Sequence, residues 1–285
     1  MEKFAKMMEK LCEASRRDYA NPYDLKWPET LDQNQWCFSP ELISIYGTDV
    51  YDKLSEADKK RLSFYEAVNF FSLNIHGEKP LSEGLAHRLY SKRNISLSPY
   101  LHHFLDEENK HMIYFASFCL RYAFKIYPDK KMSIPQEYVA GEEDFLFFVK
   151  VLIFEEIVDI FNIRMSRDER LVPIAREINR LHHRDESRHL VFGREIVVSL
   201  FKEYKDQWSK ETLQKIRIYL AQYLLATWKE YFNPEVYKDL NISDAYDLTD
   251  RFFDSPVCRT RRIEISANCI SFLLKNGILE KEPSL

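Results

Sequence analysis

Two stretches of the chain repeat one pattern 78 positions apart: EENKH at 107–111 and DESRH at 185–189, each an acid followed by Glu-x-x-His. On an α-helix, residues i and i+3 project from nearly the same face. Glu108 with His111, and Glu186 with His189, then each aim an oxygen and an imidazole at one point. Composition agrees with helices, since 6 glycines in 285 residues leave little material for hairpin turns or Gly-rich phosphate loops. With 45% apolar residues, the chain can bury one large core.

Helix signals divide the chain. Residues 1–18 read as a helix, and 19–54, with Pro22, Pro28, Pro40, Trp27, Trp36 and a turn at Tyr46-Gly47-Thr48, as a segment wrapping a core. Ser55 and Asp58 form a capping box that opens helix one, which runs to about Leu89. After a turn at 93–97, Ser98-Pro99 is an N-cap and first-position proline for helix two, expected to reach Tyr127 before Pro128 stops it. A connector at 128–141 leads to helix three at 142–165. Ser166 and Glu169 form a second capping box near the start of helix four, which restarts at Pro173 and runs to about Lys202. Two more helices follow at 210–231 and 256–275. The expected fold is all-α: a ferritin-like four-helix bundle over 55–202 with additional helices at both ends, in one domain spanning 1–285.

Two Glu-x-x-His matches carry little weight alone. With 8 histidines and glutamate at about one residue in ten, about one match arises by chance. The remaining acids add the weight, because residues at equal depth in two antiparallel helices lie equally far from their connecting turn. The midpoint of Glu78 and Glu108 is residue 93, inside the turn, whereas that of the rival Glu66 is residue 87, within helix one. Glu66 also lies about 18 Å along the axis from Glu78. Glu78 is therefore the expected ligand. On helix three, Glu155 and Glu156 interrupt an apolar run where a charge needs a partner. Their midpoints with Glu186 are 170.5 and 171, so depth does not choose between them.

His182 and His183 precede Glu186 by one turn. His182 lies about 40° from Glu186, on the side of His189, and His183 about 60° away on the other side. His182 is the expected third imidazole, and its counterpart 78 residues earlier is Phe104. Four glutamates, counting one of the helix-three pair, balance two divalent ions with the histidines neutral. Oxygen and imidazole donors without thiolate suit iron or manganese, and zinc accepts the same donor types. Asp185 and Glu107 either fix the free ring nitrogen of a histidine on the opposite half or are surface acids paired with Arg184 and Lys110. Pro80, beside Glu78, removes the backbone bond to the His76 carbonyl, which either kinks helix one or ends a segment of it.

The net charge of −4, with basic residues spread along the chain, argues against nucleic acid. Residues 1–10 lack the apolar core of a signal peptide, and the most apolar stretch, 145–161, is broken by Lys150, Glu155 and Glu156, so no membrane span is expected. Five widely spaced cysteines with no C-x-x-C pair fit a cytoplasmic protein. A small-molecule substrate is expected, with Phe104, Tyr114, Phe115 and Phe148 as candidate cavity walls. No cosubstrate-binding motif is visible, so electrons come from an external donor or from the substrate. A homodimer is expected.

The chain resembles the AurF-like di-iron oxygenases, a family of arylamine N-oxygenases such as p-aminobenzoate N-oxygenase. The resemblance spans about 38–200 and rests on FSPELISIYGTDVYDKLS at 38–55, NIHGE ending at Glu78, DEENKH at 106–111, FEEIVD at 154–159 and INRLHHRDESRH at 178–189. Its most specific element is His-x-x-x-Glu-x-x-His, met by His182, Glu186 and His189. The resemblance implies the ligand set Glu78, Glu108, His111, Glu155, His182, Glu186 and His189, and it selects Glu155 over Glu156. It further implies two iron ions, with manganese as a substitute, dioxygen as cosubstrate, and oxidation of an amine nitrogen. The competing expectations are oxidation of an aliphatic substrate by hydroxylation, desaturation or cleavage; a ferroxidase without organic substrate; and a helical interaction module.

Overall fold

Helix boundaries in the computed structural model, which describes residues 2–129 and 137–285, follow local capping chemistry. The first helix, α1 (Glu2–Arg17), leads through the wrapping segment to a short α2 (Asp49–Lys53). The Ser55 side chain accepts from the Asp58 amide and opens α3 (Glu56–Arg88). Helix α3 runs unbroken through Pro80, so the proline ends no segment. Helices α4 (Ser98–Phe118), α5 (Glu142–Arg167) and α6 (Pro173–Tyr204) complete the core. Beyond it come α7 (Lys210–Glu230), α8 (Pro234–Asp239), α9 (Ala245–Phe253) and α10 (Pro256–Lys275). The all-α class is borne out. Among the described residues the only bridge is Trp36 with Leu171, which ties the wrapping segment to the α5–α6 turn. No helix among them is long and apolar enough to cross a membrane.

Three boundary expectations need correction. Helix α4 gives way after Phe118 to a π turn at Cys119–Ala123 and ends at Phe124 in the left-handed region (φ 54), short of Tyr127. Leu97, not Ser98, caps α4, because the Ser98 hydroxyl donates to the Asn94 carbonyl and accepts from the Tyr90 amide. Ser166 forms no capping box: it lies in the last turn of α5 and donates back to the Ile163 carbonyl at 3.0 Å. Of the expected connector, residues 130–136 lie outside the described residues.

Helix α3 packs along α4, and α5 along α6, as two antiparallel hairpins set against each other. The hairpins bury two aromatic layers. In one, Phe71 stacks on Phe115 at 5.2 Å, Phe70 stacks on Phe161 at 5.4 Å, and Phe118 meets Phe71 edge-on at 4.9 Å. In the other, about four turns away along α4 and α5, Phe192 meets Tyr100 at 5.1 Å and Phe148 at 5.8 Å. Between the layers the sequence places acids and histidines instead of apolar residues. Helices α7 and α10 pack against α5, whose Glu155, Glu156 and Asp159 are buried.

Candidate metal centre

The structure brings all seven expected ligand residues together between the aromatic layers, each 3% exposed or less. Glu78 comes from α3, Glu108 and His111 from α4, Glu155 from α5, and His182, Glu186 and His189 from α6. Their donor atoms form two groups, Glu78 with His111 and His182, and Glu108 with Glu155, Glu186 and His189. Within each group the donors lie within 4.8 Å of one another. This grouping crosses the two halves of the chain, because His182 of the second half joins Glu78 and His111 of the first. Glu186 links the groups: its Oε1 is 2.8 Å from His182 Nε2, 3.4 Å from His189 Nδ1 and 3.7 Å from His111 Nδ1. Glu108 Oε1 likewise lies 3.0 Å from His189 Nδ1 and 3.7 Å from His111 Nδ1.

Outer partners orient the rings. His189 Nε2 donates to Glu107 Oε2 at 2.8 Å, whereas His111 Nε2 faces Asp185 Oδ2 at 3.4 Å outside hydrogen-bond geometry, so each acid stands behind the histidine of the opposite motif and only Glu107 bonds to it. Arg188, which sequence reasoning missed, joins the two acids by donating to Glu107 at 2.5 Å and to Asp185 at 2.6 Å. Burial by itself would raise Asp185, yet the neighbouring His111 and Arg184 hold it well below the usual carboxylate range. Asn162, also missed, places its Nδ2 at 2.9 Å from His182 Nδ1.

The rejected candidates have other partners. Glu156 accepts from Arg194 Nε at 2.6 Å. His183 pairs with Asp159 at 2.7 Å, outside the cluster. Glu66 accepts from the Ser44 amide at 3.1 Å and from the Ser44 hydroxyl. Of the expected cavity walls, Phe104 stacks on His189 at 3.9 Å and Phe115 meets His182 edge-on at 4.9 Å. Phe148 and Tyr114 are buried, Phe148 against Phe192.

The donor set fits a pair of cations. Both oxygens of Glu78, both of Glu155, Glu186 Oε2 and His111 Nδ1 are buried without a hydrogen-bond partner. Each orphaned buried polar atom costs about 1–3 kcal/mol, so six cost on the order of 10 kcal/mol, comparable to the whole stability of a domain. Burial, reinforced by Glu108 and Glu186, pushes Glu78 well above the usual carboxylate range, and burial with Glu186 does the same to Glu155. Burial lowers His182, with His111 adding to the effect, and so favours the neutral ring. Cations between these groups would relieve both the repulsion and the missing partners.

The family described as p-aminobenzoate N-oxygenase AurF matches over residues 2–277. The chain belongs to this family. As a member it is an oxidoreductase with a metal pair of the di-iron type as cofactor and dioxygen as cosubstrate. Among solved structures it is similar to a single-site variant of an R2-like ligand-binding oxidase with an aerobically reconstituted Mn/Fe cofactor. That match has a TM-score of 0.50 at 15% identity and covers 95% of this chain and 93% of the other. A second variant of an R2-like ligand-binding oxidase, with an Fe/Fe cofactor, gives 0.47 at 15% identity over 95% and 93%. The R2-like ligand-binding oxidase from Sulfolobus acidocaldarius gives 0.44 at 16% identity over 97% and 92%. At these identities the likeness bears on the fold alone, and the first match agrees with the ferritin-like core. No curated protein matches the chain.

Proposed function

We propose that the seven clustered residues hold two iron ions and that the protein oxidises the amine nitrogen of a small, aromatic amine. Glu78, His111 and His182 would hold one ion and Glu155 and His189 the other, with Glu108 and Glu186 of the second group also within 3.7 Å of His111. The observation that carries this reading is the set of unpartnered oxygen and nitrogen atoms facing one another in a buried core. Manganese suits the same donors and is a substitute for one iron. When bound, the metal pair supplies the reduction of dioxygen and the transfer of an oxygen atom to substrate. The chain itself sets ligand geometry through Glu107, Asp185 and Arg188 and excludes water with the two aromatic layers. The family's description supports an arylamine, and the rings flanking the histidines, Phe104 and Phe115, suit an aromatic substrate.

An external electron donor, a homodimeric assembly and a cytoplasmic setting complete the reading. The last is supported by five free, buried cysteines. Rapid mixing of the ferrous-loaded protein with dioxygen tests the chemistry. The expected result is a transient absorption that decays faster with p-aminobenzoate or a related arylamine, yielding a product heavier by oxygen. A decay indifferent to every arylamine, ending in ferric protein alone, replaces this reading with a ferroxidase. Acceleration by aliphatic substrates alone replaces it with an aliphatic oxidase.

A further inference from the structure

The three cluster histidines differ in what stands behind them. His189 and His111 have the carboxylates of Glu107 and Asp185 behind Nε2, with Nδ1 facing the cluster. An ionised carboxylate only accepts. Glu107 therefore fixes a proton on Nε2 of His189, and Asp185 favours the same tautomer of His111, so that Nδ1 is the nitrogen each ring turns toward an ion.

His182 is turned the other way, with Nε2 facing the cluster and Nδ1 facing Asn162, whose side chain is fully buried. Asn162 Nδ2 lies 2.9 Å from Nδ1, and an amide nitrogen donates, so Nδ1 accepts and the ring proton sits on Nε2. Nε2 then donates to Glu186 Oε1 at 2.8 Å. In this state His182 cannot ligate, because its cluster-facing nitrogen carries the proton. Asn162 Oδ1, meanwhile, is buried with no partner. A half-turn of the amide exchanges its oxygen and nitrogen at almost no cost in volume. Oδ1 then accepts from a proton on Nδ1, and the lone pair of Nε2 is free for an ion.

We propose that Asn162 is a positioning residue that lets His182, alone among the three rings, take up and release its ion by exchanging tautomers. Nε2 loses a proton as Nδ1 gains one, so the ring stays neutral and no net proton is bound or lost. A neutral amide serves both tautomers, whereas a carboxylate at this position serves only the ligating one. The ion held by Glu78, His111 and His182 is thus the exchangeable one of the pair, the side on which a coordination position opens. The inference rests on the metal-pair reading proposed above.

Histidine-selective 15N NMR of the full-length, metal-free protein reads the tautomers directly, with His182 assigned from its loss in His182→Gln. The expected spectrum has the proton of His182 on Nε2 without metal and on Nδ1 after zinc is added, while His111 and His189 keep theirs on Nε2 throughout. Calorimetric titration with zinc supplies a second readout. Asn162→Leu weakens one of the two binding events by about 10–100-fold and leaves the other unchanged, and Asn162→Asp makes the same event tighter than in wild type. Two ions bound with His182 protonated on Nδ1 from the start, or with Asn162→Leu titrating like wild type, overturns the tautomer exchange and leaves the metal pair standing. A wild-type protein that binds no zinc overturns the metal pair itself, and this inference with it.

Discussion

Glu66 and Glu78 lie on the same helix, three turns apart, with 4% and 2% of their surfaces exposed. Glu66 is met by the Ser44 amide and hydroxyl, and that hydroxyl lies 2.9 Å from Tyr237 OH, so its carboxyl fastens the wrapping segment and α8 to the core. Glu78 has no hydrogen-bond partner on either oxygen and faces two histidines and further carboxylates. Burial is common to both, so burial alone does not mark a ligand. What separates them is whether the surrounding protein satisfies the buried oxygens or leaves them for something else.

The largest effect expected from this contrast is at Glu78. Glu78→Ala lowers the metal content from two ions to one, abolishes turnover and, in the metal-free state, raises the midpoint of chemical unfolding, because an orphaned buried carboxyl is gone. Metal analysis that still finds two tightly held ions breaks the comparison.

Glu66→Gln leaves metal content unchanged and changes stability with pH. Burial holds the Glu66 carboxyl up at about 7 in the folded chain. The folded state therefore binds this proton more tightly than the unfolded state, and stability falls as pH rises from the ordinary carboxylate range through about 7. Glutamine keeps an acceptor for Ser44 and carries no charge. The variant should match wild type near pH 5 and exceed it by about 3 kcal/mol at pH 8, as read by urea unfolding. An equal offset at both pH values would contradict the assignment.

Glu107→Gln removes the charge behind His189 while keeping the shape, and about a tenfold loss of metal affinity is expected in an anaerobic iron(II) titration. Glu156→Gln sharpens the contrast at the small end. Its partner Arg194 is 46% exposed, so the change costs no more than about 1 kcal/mol and leaves metal content at two ions.

Caps and prolines made most of the core legible in the sequence. Ser55 and Pro173 stand at the expected helix starts, and α10 matches its expected span of 256–275. The end of α4 was not legible, since no glycine or proline stands at 118–124 to mark the π turn. Equal depth about a turn singled out Glu78, but it could not separate the adjacent Glu155 and Glu156, and burial did not separate them either because helix α5 is buried nearly all round. Only the third dimension gives Glu156 an arginine and leaves Glu155 without one. The meeting of His182 with Glu78 and His111 depends on distances across three helices, which a linear pattern does not encode. Asn162 did leave a trace, as a polar residue seven positions after Glu155 and so on the same face of α5. Arg188 left a weaker one, lying between two ligands with no apolar position to mark it as buried.

The most direct test of the account is the number and place of metal ions in the full-length protein loaded anaerobically with iron(II). Elemental analysis combined with anomalous scattering at the iron edge reads both. The account predicts two ions per chain, one against Glu78, His111 and His182 and the other against Glu155 and His189. One ion or none, or iron bound away from these seven residues, would contradict it.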